Sequence, residues 1–190
     1  MTTAETEIRT KTKELQTALA TLGKRLDDGD DSEILVWVIS AVLACAHRPL
    51  RHHPEFGRDR RGRNLPPKAT PKVFEWLRRI KDSGIRSIIC LMHSKELGHY
   101  SQLDLGAENL IEFYKTSGLE VRHVEWDDPA HRPSLDRATY ARELLRIRTQ
   151  ALRAFDELPK PVLLHCSAGI DRSSPVAAYV FHMRTSADDA

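Results

Sequence analysis

The stretch PVLLHCSAGIDRSSP, residues 161–175, constrains this chain more than any other part of it. Val162, Leu163 and Leu164 read as a short strand buried on both faces, and the pattern breaks at His165-Cys166. Gly169 and Arg172 follow, after which Val176, Tyr179, Val180 and Met183 recur at helical spacing on one face. A strand whose loop opens a helix brings backbone N–H groups and the positive end of the helix dipole to one point, which makes an anion site. Cys166 stands at its mouth.

A free thiol with a pKa of ~8.5 is mostly protonated at neutral pH, and only the thiolate is a nucleophile. Converging N–H groups and Arg172 favour the charged form; a shift of ~3 units corresponds to about 4 kcal/mol. The same groups suit a phosphate. Arg172 follows Cys166 by six positions, so a loop curled round a tetrahedral anion can return the guanidinium to two of its oxygens as a bidentate fork. Gly169 lets the backbone take positive φ and approach the ligand closely. Ser173 offers a hydroxyl to the sulfur in the second step. A bare C-x5-R spacing arises by chance; with His, Gly, Ser and a strand-loop-helix context around it, the functional reading is favoured.

HCSAGIDRS, residues 165–173, resembles the signature loop of the cysteine-dependent protein tyrosine phosphatase superfamily, closest to its small dual-specificity and atypical members. The resemblance implies an α/β fold and hydrolysis of phosphomonoesters through a phosphocysteine. It implies Cys166 as nucleophile, Arg172 on the phosphoryl oxygens, N–H groups from Ser167, Ala168, Gly169, Ile170 and Asp171, and His165 orienting the loop. Ser174 replaces the glycine usual after Arg-Ser, and Ile170 stands where some atypical members carry lysine, which lowers the case for multiply phosphorylated inositols. Family domains also add one or two helices after the last one here, so an N-terminal helix is expected to cover the face they would occupy.

Expelling a poor leaving group from a phosphate ester takes a proton, which a carboxylic acid on a second loop at the same sheet edge would supply. Trp126-Asp127-Asp128 follows a strand and resembles the Trp-Pro-Asp loop of the classical phosphatases, which puts the general acid on Asp128, with Asp127 as the alternative. One of the two is also expected to turn the chain before Pro129. Asp171 reads as a brace for Arg172 or the loop. His93, His99, His123 and His131 could line a cleft, but no metal-ligand spacing appears and no cofactor is expected.

Along the chain, residues 4–26 read as an amphipathic helix with Ile8, Leu15, Leu19, Leu22 and Leu26 on one face. Residues 34–40 read as a strand, continuing after a bend through Leu43-Ala44-Cys45. Thr70 caps a helix begun by Pro71, and residues 85–92 form a strand. A helix from about residue 102 to 117, a strand over 119–126, and a helix capped by Ser134 with Ala138, Ala141, Leu145, Leu152 and Phe155 inward complete the pattern. This alternation argues for an α/β fold with a central, largely parallel sheet flanked by helices. The expected organisation is an N-terminal helical extension, residues 1–30, on a phosphatase-like domain, residues 31–190.

Residues 47–72 form a basic loop, with eight Arg or Lys against Glu55 and Asp59. It fits a rim that attracts polyanions, a nucleic-acid contact, or a merely solvated loop. Three cysteines cannot all pair, and a nucleophilic thiol needs a reducing compartment, so a cytoplasmic location is expected. The first residues lack the pattern of a signal peptide, and the apolar run 34–46 is short for a membrane span. The function expected is a phosphatase for phosphotyrosine, or phosphoserine and phosphothreonine, on proteins or small phosphomonoesters. The alternatives are a lipid or RNA 5′-phosphatase of the same superfamily, or a phosphate-binding module with weak turnover.

Overall fold

The computed structural model describes residues 2–57 and 61–186. Its centre is a sheet of five strands in the order β1-β2-β5-β3-β4, where β1 is Val36–Ile39, β2 Leu43–Ala46, β3 Ser87–Cys90, β4 Glu120–His123 and β5 Val162–His165. β2, β5, β3 and β4 run parallel, and only the edge strand β1 is antiparallel. The apolar run 34–46 is therefore a hairpin and not one bent strand. Every residue of β2, β3 and β5 is buried, as strands covered on both faces require.

Helices α2 (Thr70–Asp82) and α4 (Leu110–Thr116) cover one face; Val73, Leu77, Ile80, Leu110 and Phe113 pack there on Ala44, Ile88 and Leu163. The other face takes α1 (Thr3–Asp27), α5 (Arg137–Glu157) and α6 (Ser173–Thr185), with Leu15, Leu19, Leu22, Ile147, Ala151, Val176 and Val180 packed on Leu43, Ile89 and Leu164. As the amphipathic spacing suggested, α1 lies along α6 and β1 and shares their core. A single turn, α3 (Ser94–Leu97), follows β3.

Local expectations fail where a backbone signal was misweighed. α4 begins at Leu110, not near residue 102: Gly106 sits at φ +64, and Asn109 Oδ1 accepts the N–H groups of Ile111 and Glu112 at 2.9 and 3.1 Å. Asp136, not Ser134, caps α5, its Oδ1 accepting from Ala138 and Thr139 at 2.9 Å each. The inward face of α5 is Ile147, Ala151, Ala154 and Phe155, with Tyr140 and Leu144 partly buried, whereas Ala138, Ala141 and Leu145 face solvent. Two apolar stripes share this helix, and spacing alone did not choose between them. Thr70 is the first residue of α2, entered from a 3₁₀ turn over Pro67–Ala69, and its hydroxyl makes no capping bond.

Leu19 is fully buried between α1, the sheet and the residue 166–172 loop. Leu19→Ala is expected to cost about 3 kcal/mol, read as a lowered urea midpoint with an unchanged m-value. An unchanged midpoint would mean α1 is a loose appendage.

Candidate active site

The four parallel strands end in register: Cys90 stands beside His165 and His123, and Ala46 beside His165. The loops leaving β2, β5, β3 and β4 therefore open at one edge of the sheet, beyond the carboxyl ends, where open α/β sheets bind ligands. β5 supplies Cys166, β2 His47 and Arg48, β3 the segment with Glu96, and β4 Asp127 and Asp128.

The loop from Cys166 to Arg172 is pinned through one peptide group. Gly169 takes φ +74 and donates its N–H to Cys166 Sγ at 3.2 Å, while its carbonyl accepts both Ser174 N–H (3.0 Å) and Ser174 Oγ–H (2.7 Å). Ser174 is thus the clasp that sets this peptide. The amides of Ser167, Ala168, Ile170 and Asp171 donate to no acceptor among the described residues. Arg48 N–H donates to Ser167 O at 3.0 Å, and its Nε–H to Ser167 Oγ at 3.1 Å. The buried Ser173 Oγ has no hydrogen-bond partner among the described residues.

Arg172 is fully buried, and its guanidinium is divided by edges. Glu96 takes the terminal edge, with Oε2 on Nη1 at 2.5 Å and Oε1 on Nη2 at 2.7 Å. Nη1 also donates to Trp126 O at 3.0 Å and Leu91 O at 3.3 Å. Nε has no hydrogen-bond partner among the described residues, and Nη2 also faces Asp128 Oδ2 at 3.4 Å. The side edge, Nε and Nη2, is the one left to meet an oxyanion. Burial works against both charges, yet Cys166, Glu96 and Asp128 raise the Arg172 pKa, and Arg172 keeps Glu96 below the usual carboxylate range. Glu96 is held in turn by the His93 N–H at 2.8 Å, in a capping box at the start of α3. The sequence reading missed Glu96; the His93-to-Glu96 spacing was its one local signal.

Of the two aspartates, Asp128 reaches the loop. Its Oδ2 lies against Arg172 and 3.6 Å from His131 Nδ1, while Oδ1 accepts the Ala130 N–H at 3.0 Å. Asp127 is exposed, and its Oδ1 accepts the Asp128 N–H at 3.0 Å. Asp128 both turns the chain before Pro129 and faces the cradle. Trp126 is buried, stacks on Tyr140 and donates Nε1–H to Glu143 at 3.3 Å, which moors this loop to α5. Asp171 makes no ion pair with Arg172 among the described residues; partial burial and the nearby Asp128 raise its pKa.

His165 is buried with Nδ1 3.1 Å from Cys166 O. A carbonyl only accepts, so Nδ1 carries the proton, and burial lowers the ring's pKa to about 4, leaving it neutral. A second buried histidine braces the loop from behind. His47 Nδ1 lies 2.9 Å from Ala168 O and Nε2 3.0 Å from Leu19 O, and burial brings its pKa to about 3. A neutral ring donates to one of these carbonyls at a time. Gln16 Nε2 donates to Ile170 O at 3.3 Å, and a Cβ on Gly169 would meet Leu19 Cδ1 at 3.0 Å. α1 is therefore the rear wall of the loop.

Of the other histidines that could line a cleft, His93 caps α3, His123 bonds Met92 O at 2.7 Å, and only the backbone carbonyl of His99 is engaged, accepting Leu65 N–H at 2.9 Å. No group of three His, Cys, Asp or Glu is arranged to hold a metal among the described residues. Cys90 packs in the core on the α2 side, away from Cys166, and burial pushes its thiol up to about 12. The basic loop is tied to the cradle by Arg48, which donates to Gly62 O at 2.7 Å, Arg61 O at 2.8 Å and Tyr100 Oη at 3.1 Å. No helix among the described residues is long and apolar enough to cross a membrane.

In comparisons with known proteins, no family model, no curated protein and no solved structure matches this chain.

Replacing Glu96 by Ala leaves the Arg172 charge buried with neutral partners and Asp128 alone. The expected loss is about 2–3 kcal/mol, measured by urea unfolding, with Glu96→Gln recovering part of it. No loss in either variant would show that the pair does not hold Arg172.

Proposed function

We propose that this protein is a cysteine-dependent phosphatase of the protein tyrosine phosphatase-like, dual-specificity type, acting on phosphomonoesters in the cytoplasm. The observation that carries the reading is the cradle itself: Gly169 N–H on Cys166 Sγ, with four neighbouring amides and the Arg172 Nε that meet no acceptor among the described residues. These donors converge where a transferring phosphoryl group would carry its charge, and electrostatic fit of that kind is the main source of phosphoryl-transfer catalysis.

In the first step the Cys166 thiolate attacks phosphorus, the S–P bond forms and the ester P–O bond breaks. The electron pair goes to the departing oxygen, and Asp128, protonated at that moment, gives it a proton. In the second step the Asp128 carboxylate takes a proton from water, whose oxygen attacks phosphorus. The S–P bond breaks, and inorganic phosphate and the thiolate are released. Arg172 holds two phosphoryl oxygens throughout, steadied by Glu96. Ser173 lies at the start of α6 with its hydroxyl uncommitted and would donate to the sulfur as it leaves. Aryl phosphates such as phosphotyrosine suit the site better than polyphosphorylated lipids, because the carboxylates of Asp128 and Asp171 both lie near Arg172.

Hydrolysis of 4-nitrophenyl phosphate tests the reading. Cys166→Ser is expected to abolish turnover, and Asp128→Asn to slow it by about 10²-fold or more, while Asp127→Asn stays near the parent. Full activity in Cys166→Ser would overturn the mechanism, and a larger loss in Asp127→Asn than in Asp128→Asn would move the acid.

A further inference from the structure

The supports of the cradle differ in which peptide they grip. Ser174 holds the carbonyl of Gly169, Gln16 that of Ile170, and the Arg48 N–H that of Ser167. His47 Nδ1, 2.9 Å from Ala168 O, falls on the peptide that joins Ala168 to Gly169, and the N–H of that same peptide is the one on Cys166 Sγ at 3.2 Å. This peptide is trans, so its oxygen and its hydrogen point opposite ways. One line therefore runs from the imidazole through the amide to the sulfur. A donor on the carbonyl oxygen polarises the amide and makes its N–H a stronger donor in turn.

The ring that begins this line has a single proton to give. Burial, the His52 ring with its centroid 4.3 Å away, and Arg51 all oppose a charge on His47, so the ring is neutral. Asp27 faces the second ring, 2.9 Å from His52 Nδ1. The His47 nitrogens meet two carbonyls, Ala168 O at Nδ1 and Leu19 O at Nε2. Leu19 O lies inside α1, where the helix supplies a donor four residues on. Ala168 O accepts from no other group among the described residues. A carbonyl without a second donor gains more from the proton, which places it on Nδ1.

We propose that His47 is a positioning residue for Cys166: its Nδ1–H, donated to Ala168 O, orients and polarises the amide that holds the sulfur in its charged form. It acts through that amide and not on the substrate. Leu19 O is the rival acceptor, so α1 and the cradle compete for one proton. The consequence for turnover rests on the phosphatase reading; the effect on the sulfur does not.

The test follows alkylation of Cys166 by iodoacetamide against pH, with the modified peptide identified by mass spectrometry so that the buried Cys45 and Cys90 do not contribute. His47→Phe keeps a ring and loses both donors, and is expected to move the midpoint up by about 1 pH unit. His47→Asn sets an amide N–H near the place of Nδ1 and is expected to stay close to the parent. His47→Gln, whose N–H lies nearer Nε2, is expected to shift as the Phe variant does. The acidic limb of kcat/KM for 4-nitrophenyl phosphate is expected to move up with the midpoint, a shift that loss of packing alone would not produce. On the parent protein, nitrogen NMR of the imidazole is expected to show His47 as the Nδ1–H tautomer, a result that needs no variant to fold. An unshifted midpoint in His47→Phe, an Asn variant shifted as far as the Phe one, or an Nε2–H tautomer would each overturn the proposal. A protein that hydrolyses no phosphate ester yet shows the shift would refute the phosphatase reading and support this one.

Discussion

The Gly169 peptide is the constraint on which the site depends. Its carbonyl is gripped twice by Ser174 at the first turn of α6, and that grip turns its N–H toward the Cys166 sulfur. A Cβ at position 169 would be strained at φ +74 and would stand 3.0 Å from a Leu19 methyl, so glycine fits this point best. Strand β5 delivers the sulfur, α6 fixes the peptide, and α1 closes the space behind. A hydrogen bond to sulfur and a dipole aimed the same way both stabilise negative charge at this point.

Around that peptide the protein sorts its polar groups by direction. Arg172 gives one edge to Glu96 and two backbone carbonyls and keeps Nε uncommitted. A buried guanidinium with every donor engaged would be a strut, and one with none engaged would be costly and disordered in orientation. Divided by edges, it is both fixed and available. Arg48 makes the contrast, because its Nε and both terminal nitrogens are bonded to neutral oxygens of the loops it joins.

Much of this was legible in the sequence, for physical reasons that differ by element. The buried strand Val162-Leu163-Leu164, the glycine and the helix after it are local signals, and they placed the cradle and its sheet edge. The α/β class followed from the alternation of periods. Glu96 was not legible, since its role depends on a register that brings the loop after β3 against Arg172, 76 positions away in sequence. The same holds for His47 and Gln16, whose partners lie across the sheet and on a different helix. Which of Asp127 and Asp128 faces the cradle depends on the turn at Pro129, which brings the Asp128 carboxylate near Arg172 and leaves Asp127 exposed. The face of α5 failed for another reason: two stripes satisfy the helical period, and only packing against β3 and α6 selects one.

The central claim is that the cradle exists to transfer a phosphoryl group onto sulfur. Its most direct test is to mix the protein with an aryl phosphate, quench in acid within a single turnover and examine the intact protein and its peptides by mass spectrometry. The account predicts a phosphoryl adduct on Cys166 that accumulates in Asp128→Asn with 4-nitrophenyl phosphate, whose leaving group departs without the acid while the second step still lacks its base. Turnover with Cys166 unmodified at every time point, or an adduct on another residue, would contradict it.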